Sequence, residues 1–165
     1  MTIEESGALA EVVAAIAVLI TLIYLSVQVR QANLFAKSQA RQRMMEHAQA
    51  ELYTQMADPS ITHCIVKDDK LTEEEQASLS MFLTAFMRQR ELEWFQYQDG
   101  IIDEDVYQAY HQVIAIFLSQ DRTKAWWNTI GRFAFEDKFV NEVDSFLETT
   151  PPSSYLDDIR KWADT

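Results

Sequence analysis

The residues with chemistry to offer are three histidines, one cysteine and an excess of carboxylates. His47 and Glu51 stand four apart, on one face of any helix that contains them, and could touch a common metal ion. Two ligands do not enclose an ion, so a solvated pair is the expectation. A di-iron centre in a helical bundle needs paired Glu-x-x-His motifs. The residue three before His111 is Gln108, and neither His47 nor His63 has a glutamate at that position. His63 and Cys64 set a base beside a thiol, but adjacent side chains diverge and no third group orients them for nucleophilic attack. The carboxylates at 73–75 and 103–105 open two apolar-periodic segments, where they complement the positive end of a helix. We therefore expect no catalytic residue, no cofactor and no metal ligand set. The aromatics Trp94, Phe95, Tyr97, Tyr107, Tyr110, Trp126 and Trp127 could wall a ligand cleft, but they fall at core positions, where packing is the expectation.

The elements that would carry these residues are helical. Only three glycines and three prolines occur in 165 residues, which leaves little material for tight turns or phosphate-cradling loops. No segment alternates apolar and polar residues as a strand does, so the class is all-α. The run ALAEVVAAIAVLITLIYLSVQV, Ala8 to Val29, contains Glu11 as its only charge. At ~1.5 Å per residue it spans about 33 Å, against about 30 Å of bilayer hydrocarbon, and predicts a transmembrane helix. A cleaved leader would start with basic residues and end at a small-residue site. The N-terminus here is acidic, and Tyr24 to Arg30 offers no such site, so a retained anchor is expected.

Charge is unevenly distributed. The net value is −12, with −3 in residues 1–29, +2 in residues 30–57 and the remaining −11 from Asp58 on. Arg30, Lys37, Arg41 and Arg43 follow the apolar run and no Lys or Arg precedes it. That asymmetry predicts an N-terminus outside and a cytoplasmic C-terminal body in a plasma (inner) membrane. The four cations would meet anionic headgroups of the lipid bilayer. An acidic body repels phosphate, which excludes nucleic acid as a partner. The single Cys64 can form no internal disulfide, as suits a reducing compartment.

Within the apolar run, Gly7, Ala10, Ala14, Ala17 and Thr21 form a seam of small residues at helical spacing, continued by Tyr24 and Gln28. Leu9, Val12, Val13, Ile16, Leu19, Ile20 and Ile23 occupy the other side. Small residues let helices approach closely, so the seam predicts a helix–helix interface in a homo-oligomer. Glu11 lies about 40° from Gly7 and about 60° from Ala14 around the axis, beside the seam. With Gln28 it forms the candidate polar lining of an interface or pore.

No breaker follows until Asp58-Pro59, so the helix should continue as a juxtamembrane segment over 30–57, with Met44 to Met56 docking on an acidic domain at 58–165. In that domain, Ser60 to Lys67 predicts a short helix. Thr72 and Glu75 form a capping box for a helix ending at Gly100. Its expected core face is Leu79, Phe82, Leu83, Phe86, Trp94 and Tyr97, interrupted by Arg90, for which Glu91 and Glu93 look poorly spaced as partners. Further helices are expected from Asp103 (burying Val106, Tyr110, Val113, Ile114 and Phe117), over 121–130, over 136–148, and from Ser154 with Leu156, Ile159 and Trp162. The architecture is then a transmembrane helix, a juxtamembrane helix and a small bundle of about four to five helices.

Three runs, AIAVLITLIYLSVQVRQAN, RQRELEWFQYQDGIIDEDVY and AWWNTIGRFAFEDKFVNEVD, together resemble a family of uncharacterised proteobacterial proteins across nearly the whole chain. The resemblance implies a single N-terminal membrane helix and a helical cytoplasmic region, and brings no activity, cofactor or site residue. Three functions follow as expectations. The first is a membrane-anchored, self-associating, non-enzymatic protein that presents its acidic domain to a cytoplasmic protein partner. The second is an oligomeric channel or transport accessory with Glu11 near the pore mouth. The third is a ligand sensor or enzyme that uses a cleft in the bundle.

Overall fold

The computed structural model describes residues 3–163. It contains seven α-helices, and no strand occurs among the described residues. They are α1 (Ile3–Ala57), α2 (Ser60–Val66), α3 (Glu73–Gln98), α4 (Glu104–Leu118), α5 (Asp121–Thr129), α6 (Asp137–Thr149) and α7 (Tyr155–Ala163), with a 3-10 turn at Gly131–Ala134. The all-α class holds, and six α-helices follow the first. The chain divides into two units, Met1–Gln42 and Arg43–Thr165, with the boundary inside α1.

The first unit is one apolar helix. Its large side chains from Leu9 to Val29 are each 48–65% exposed, and none of its most apolar window is buried. By length and composition it can cross a membrane.

The second unit has its own core. The end of α1 docks through Met44, which is buried, and through Ala48, Glu51 and Gln55, which are half-buried. This corrects the expected docking stripe, because Leu52 and Met56 are 60% and 78% exposed. The docked residues repeat at four and three, whereas a stripe at every fourth residue winds away from any flat partner.

α3 starts and stops as its sequence dictates. The Thr72 hydroxyl accepts from the Glu75 amide at 3.2 Å, and the Glu75 carboxylate accepts from the Thr72 amide at 2.7 Å. Lys67 Nζ donates to the same carboxylate at 2.9 Å, joining α2 to the start of α3. At the other end Gly100 adopts φ 68°, a left-handed conformation open to glycine. Its amide donates to Tyr97 O and the Ile101 amide to Gln96 O, which together close a Schellman motif. Removing the cap hydroxyl with Thr72→Ala should cost about 1 kcal/mol, read as a lower urea midpoint with an unchanged slope.

The core gathers Leu79, Leu83, Phe86, Met87 and Trp94 of α3 with Tyr107, Ile114 and Leu118 of α4, Trp127 of α5 and Phe139 and Val143 of α6. The buried line of α4 is Tyr107, His111, Ile114, Ala115 and Leu118. Val106, Tyr110, Val113 and Phe117, expected to be buried, are half-buried beside it. Apolar residues cover so wide an arc of α4 that periodicity alone does not fix its centre. Asp144 of α6 accepts from Trp127 Nε1 at 2.9 Å and pairs with Arg132 at 2.5 Å, tying α5 and the 3-10 turn to α6. In α7, Ile159 and Trp162 are exposed, while the side chain of Leu156 lies outside the described residues.

Candidate functional sites

The first unit presents its seam as a continuous helical face. Gly7, Ala10, Glu11, Ala14, Ala17 and Thr21 are all exposed, and a side chain at Gly7 would meet nothing within 4 Å. The polar groups in the run are largely satisfied inside their own helix. Thr21 Oγ1 donates to Ala17 O at 2.9 Å, Ser26 Oγ to Ile23 O at 2.8 Å, and Gln28 Nε2 to the Tyr24 hydroxyl at 2.5 Å. Such back-bonding lowers the cost of exposing these side chains to an apolar medium. Among the basic residues after the run, Arg30, Arg41 and Arg43 are exposed and Lys37 is half-buried.

In the second unit the sequence concealed an ionic cluster. Arg90 and Glu93 of α3 are 3% and 2% exposed. Arg90 Nη2 lies 3.0 Å from Glu93 Oε1 and 3.9 Å from Glu51 Oε2 on α1. The nearer contact is an ion pair too bent to count as a hydrogen bond, and Arg90 Nε has no acceptor among the described residues. The guanidinium also lies over the Phe86 ring, 5.0 Å from its centroid, and 5.8 Å from that of Tyr110. The partner sought for Arg90 is therefore Glu93, three residues on and on the same face of the helix. Glu91 instead takes Arg88 at 2.6 Å and accepts from the Glu136 amide at 2.8 Å, latching α3 to the start of α6.

Burial sets the titration of this cluster. It pushes the Glu93 carboxyl up to about 7, against the opposing pull of Arg90. It also raises Glu51, again opposed by Arg90. His111, 3% exposed against Tyr107 and Phe146, is driven down to about 4 by burial and by the Arg90 charge. Burial, followed by the Glu142 charge, keeps the Tyr107 hydroxyl neutral. Among the described residues, His111 Nε2 has no hydrogen-bond partner.

Beside the cluster, a cavity of about 370 Å³ opens between the end of α1, α2 and α3. His47, Glu51, Gln55, Asp58 and Gln89 form its polar lining, and Ile61, Phe82, Ala85 and Phe86 its apolar wall. A second cavity, of about 390 Å³, lies between Leu71, Ser80, Arg122 and Trp126. There Arg122 is already committed to the backbone carbonyls of Cys64 and Asp69, and Trp126 Nε1 to Ser80 Oγ.

The structure brings His47 and Glu51 to one cavity and separates the other pair. His63 is exposed while Cys64 is buried. Among the described residues no group of three His, Cys, Asp or Glu is placed to hold a metal ion. Trp94, Tyr107, Trp126 and Trp127 are buried in the core, Tyr97 and Tyr110 are half-buried, and Phe95 is exposed. The signal for the missed cluster was charged and imidazole side chains at Arg90, Glu93 and His111 on the inner arcs of apolar helices. Comparisons with protein-family models, with curated proteins and with solved structures yield no match to this chain.

Proposed function

We propose that this chain is a single-pass, membrane-anchored and self-associating protein that holds an acidic helical domain at the cytoplasmic face of a plasma (inner) membrane, in an interaction role rather than an enzymatic one. The observation that carries the reading is the apolar run of α1, whose large side chains are exposed all round. In water such a surface far exceeds what a monomer leaves uncovered; in lipid it is satisfied. The cations after the run and their absence before it support a cytoplasmic C-terminus. The seam from Gly7 to Thr21 supports helix–helix contact, because it offers a backbone approach unobstructed by side chains. The pore alternative gains less, since the hydroxyl of Thr21 and the amide of Gln28 already bond within their own helix.

The full chain should pellet with membranes after an alkaline wash, and protease added to the cytoplasmic side should digest the domain. Recovery in the soluble fraction would overturn the anchor. In mild detergent it should sediment as a homo-oligomer. Ala14→Leu with Ala17→Leu should weaken that assembly about fivefold or more, since overpacking a tight contact costs ~1–3 kcal/mol. An oligomer unchanged by the pair of leucines would rule out the seam.

A further inference from the structure

We infer that the cavity between the end of α1 and α3 is a binding site for a small organic cation with an apolar body, an arylalkyl- or alkylammonium, whose charge pairs with Glu51 while its body lies against Phe82, Ala85 and Phe86.

The lining selects for charge. It contains the carboxylates of Glu51 and Asp58 and no lysine or arginine. Asp58 is partly used, accepting from the Ser60 amide at 3.0 Å. Glu51 is the underserved group. Its one ion-pair contact among the described residues is Arg90 at 3.9 Å, and Arg90 sits closer, at 3.0 Å, to Glu93. One buried guanidinium thus faces two carboxylates, and the one bordering the cavity has the weaker share. A half-buried carboxylate in that position is stabilised by a second cation, and the hydrogen bonds of an ammonium group to it are charge-assisted. Burial raises the carboxyl against the opposing charges of Arg90 and of His47, which lines the same cavity.

The apolar wall selects for shape. Phe82 and Phe86 stack one turn apart, with centroids 6.4 Å apart and planes at 20°. Half-buried Phe82 offers ring surface to an aryl or alkyl body, while Phe86, 3% exposed and already under the Arg90 guanidinium, closes the wall behind it. A cavity of about 370 Å³ is of the size that takes small ligands. Anions are excluded by the lining, and neutral molecules gain nothing from Glu51. The inference concerns the second unit alone and is independent of how the chain is anchored.

The test is isothermal titration of the full chain in a zwitterionic detergent with three probes of one shape: phenethylammonium, 2-phenylethanol and phenylacetate. The cation should bind with a Kd of about 1 mM or tighter, and the neutral and anionic probes at least about tenfold more weakly. Glu51→Gln should weaken the cation at least about tenfold, with binding of the alcohol unchanged. Ala85→Leu fills the cavity and leaves its charge intact, so it should weaken the cation too. Equal binding of the three probes, no binding of the cation, or full affinity in Glu51→Gln each overturn the assignment. Should Glu51→Gln lose its helical circular dichroism, Ala85→Leu and the probe series on the unaltered protein decide.

Discussion

Replacing Arg90 by methionine should lower the unfolding free energy by about 3–5 kcal/mol near pH 8 and by clearly less near pH 5. Methionine preserves much of the packing against Phe86 and Tyr110 but removes the one cation that Glu93 and Glu51 share. Breaking a buried ion pair from one side leaves an uncompensated charge, which is the source of the magnitude at high pH. Near pH 5 Glu93 is already protonated in the unaltered protein, so less charge is stranded. Denaturant titrations at the two pH values measure the difference. An equal cost at both would mean that Glu93 does not titrate in this range.

The sign of the pH dependence follows from linkage. Glu93 has a native pKa of about 7, above its ordinary value of 4.5. Its contribution is fully present below the unfolded pKa and is lost as pH rises through about 7, a change of about 3 kcal/mol. His111 runs the other way, with a native value of about 4 against 6.5 in the unfolded chain. Its contribution is present above the unfolded value and is lost as pH falls through about 4. Where the two windows overlap, from pH 4.5 to 6.5, the two slopes oppose each other. Arg90→Met should expose their imbalance, because Arg90 lowers both values and its loss lets Glu93 and His111 each hold a proton to higher pH.

What the sequence conveyed, and what it concealed, divides along physical lines. Local signals were strong where one residue type has one use. Thr72 with Glu75 marked the start of α3, and Gly100 marked its end with a left-handed turn. Uninterrupted apolarity likewise marked the membrane-length run of α1. Arg90 was legible as a charge on the core face of α3, but its partners were not, because Glu93, Glu51 and His111 each read as a surface residue when taken alone. Glu93 and His111 acquire their character from burial, and burial depends on which arc of α3 and α4 faces the core. The buried arc of α4 is centred about one residue beyond the expected one, which brings His111 to the interior. The cavity was less legible still, because Glu51 and Phe86 are 35 residues apart and meet only through the docking of α1 on α3.

The broadest division is that between the apolar run and the domain. On the proposed membrane anchoring, removing residues 1–36 should leave a chain that stays soluble in plain buffer and unfolds cooperatively. The cut discards the exposed side chains from Leu9 to Phe35. It keeps Met44, Ala48 and Glu51, through which the end of α1 docks, with two turns of helix before them. The remainder is strongly acidic, and a net charge far from zero opposes self-association. Its core spans α3 to α6, all within the second unit. Ultracentrifugation should therefore show a monomer, because the proposed contact seam from Gly7 to Thr21 is gone. Thermal unfolding followed by near-ultraviolet circular dichroism should report the buried Trp94, Trp126 and Trp127 in a rigid setting. If the shortened chain instead aggregates or loses that signal, the apolar helix is part of the fold of the domain, and its exposure cannot be explained by lipid alone.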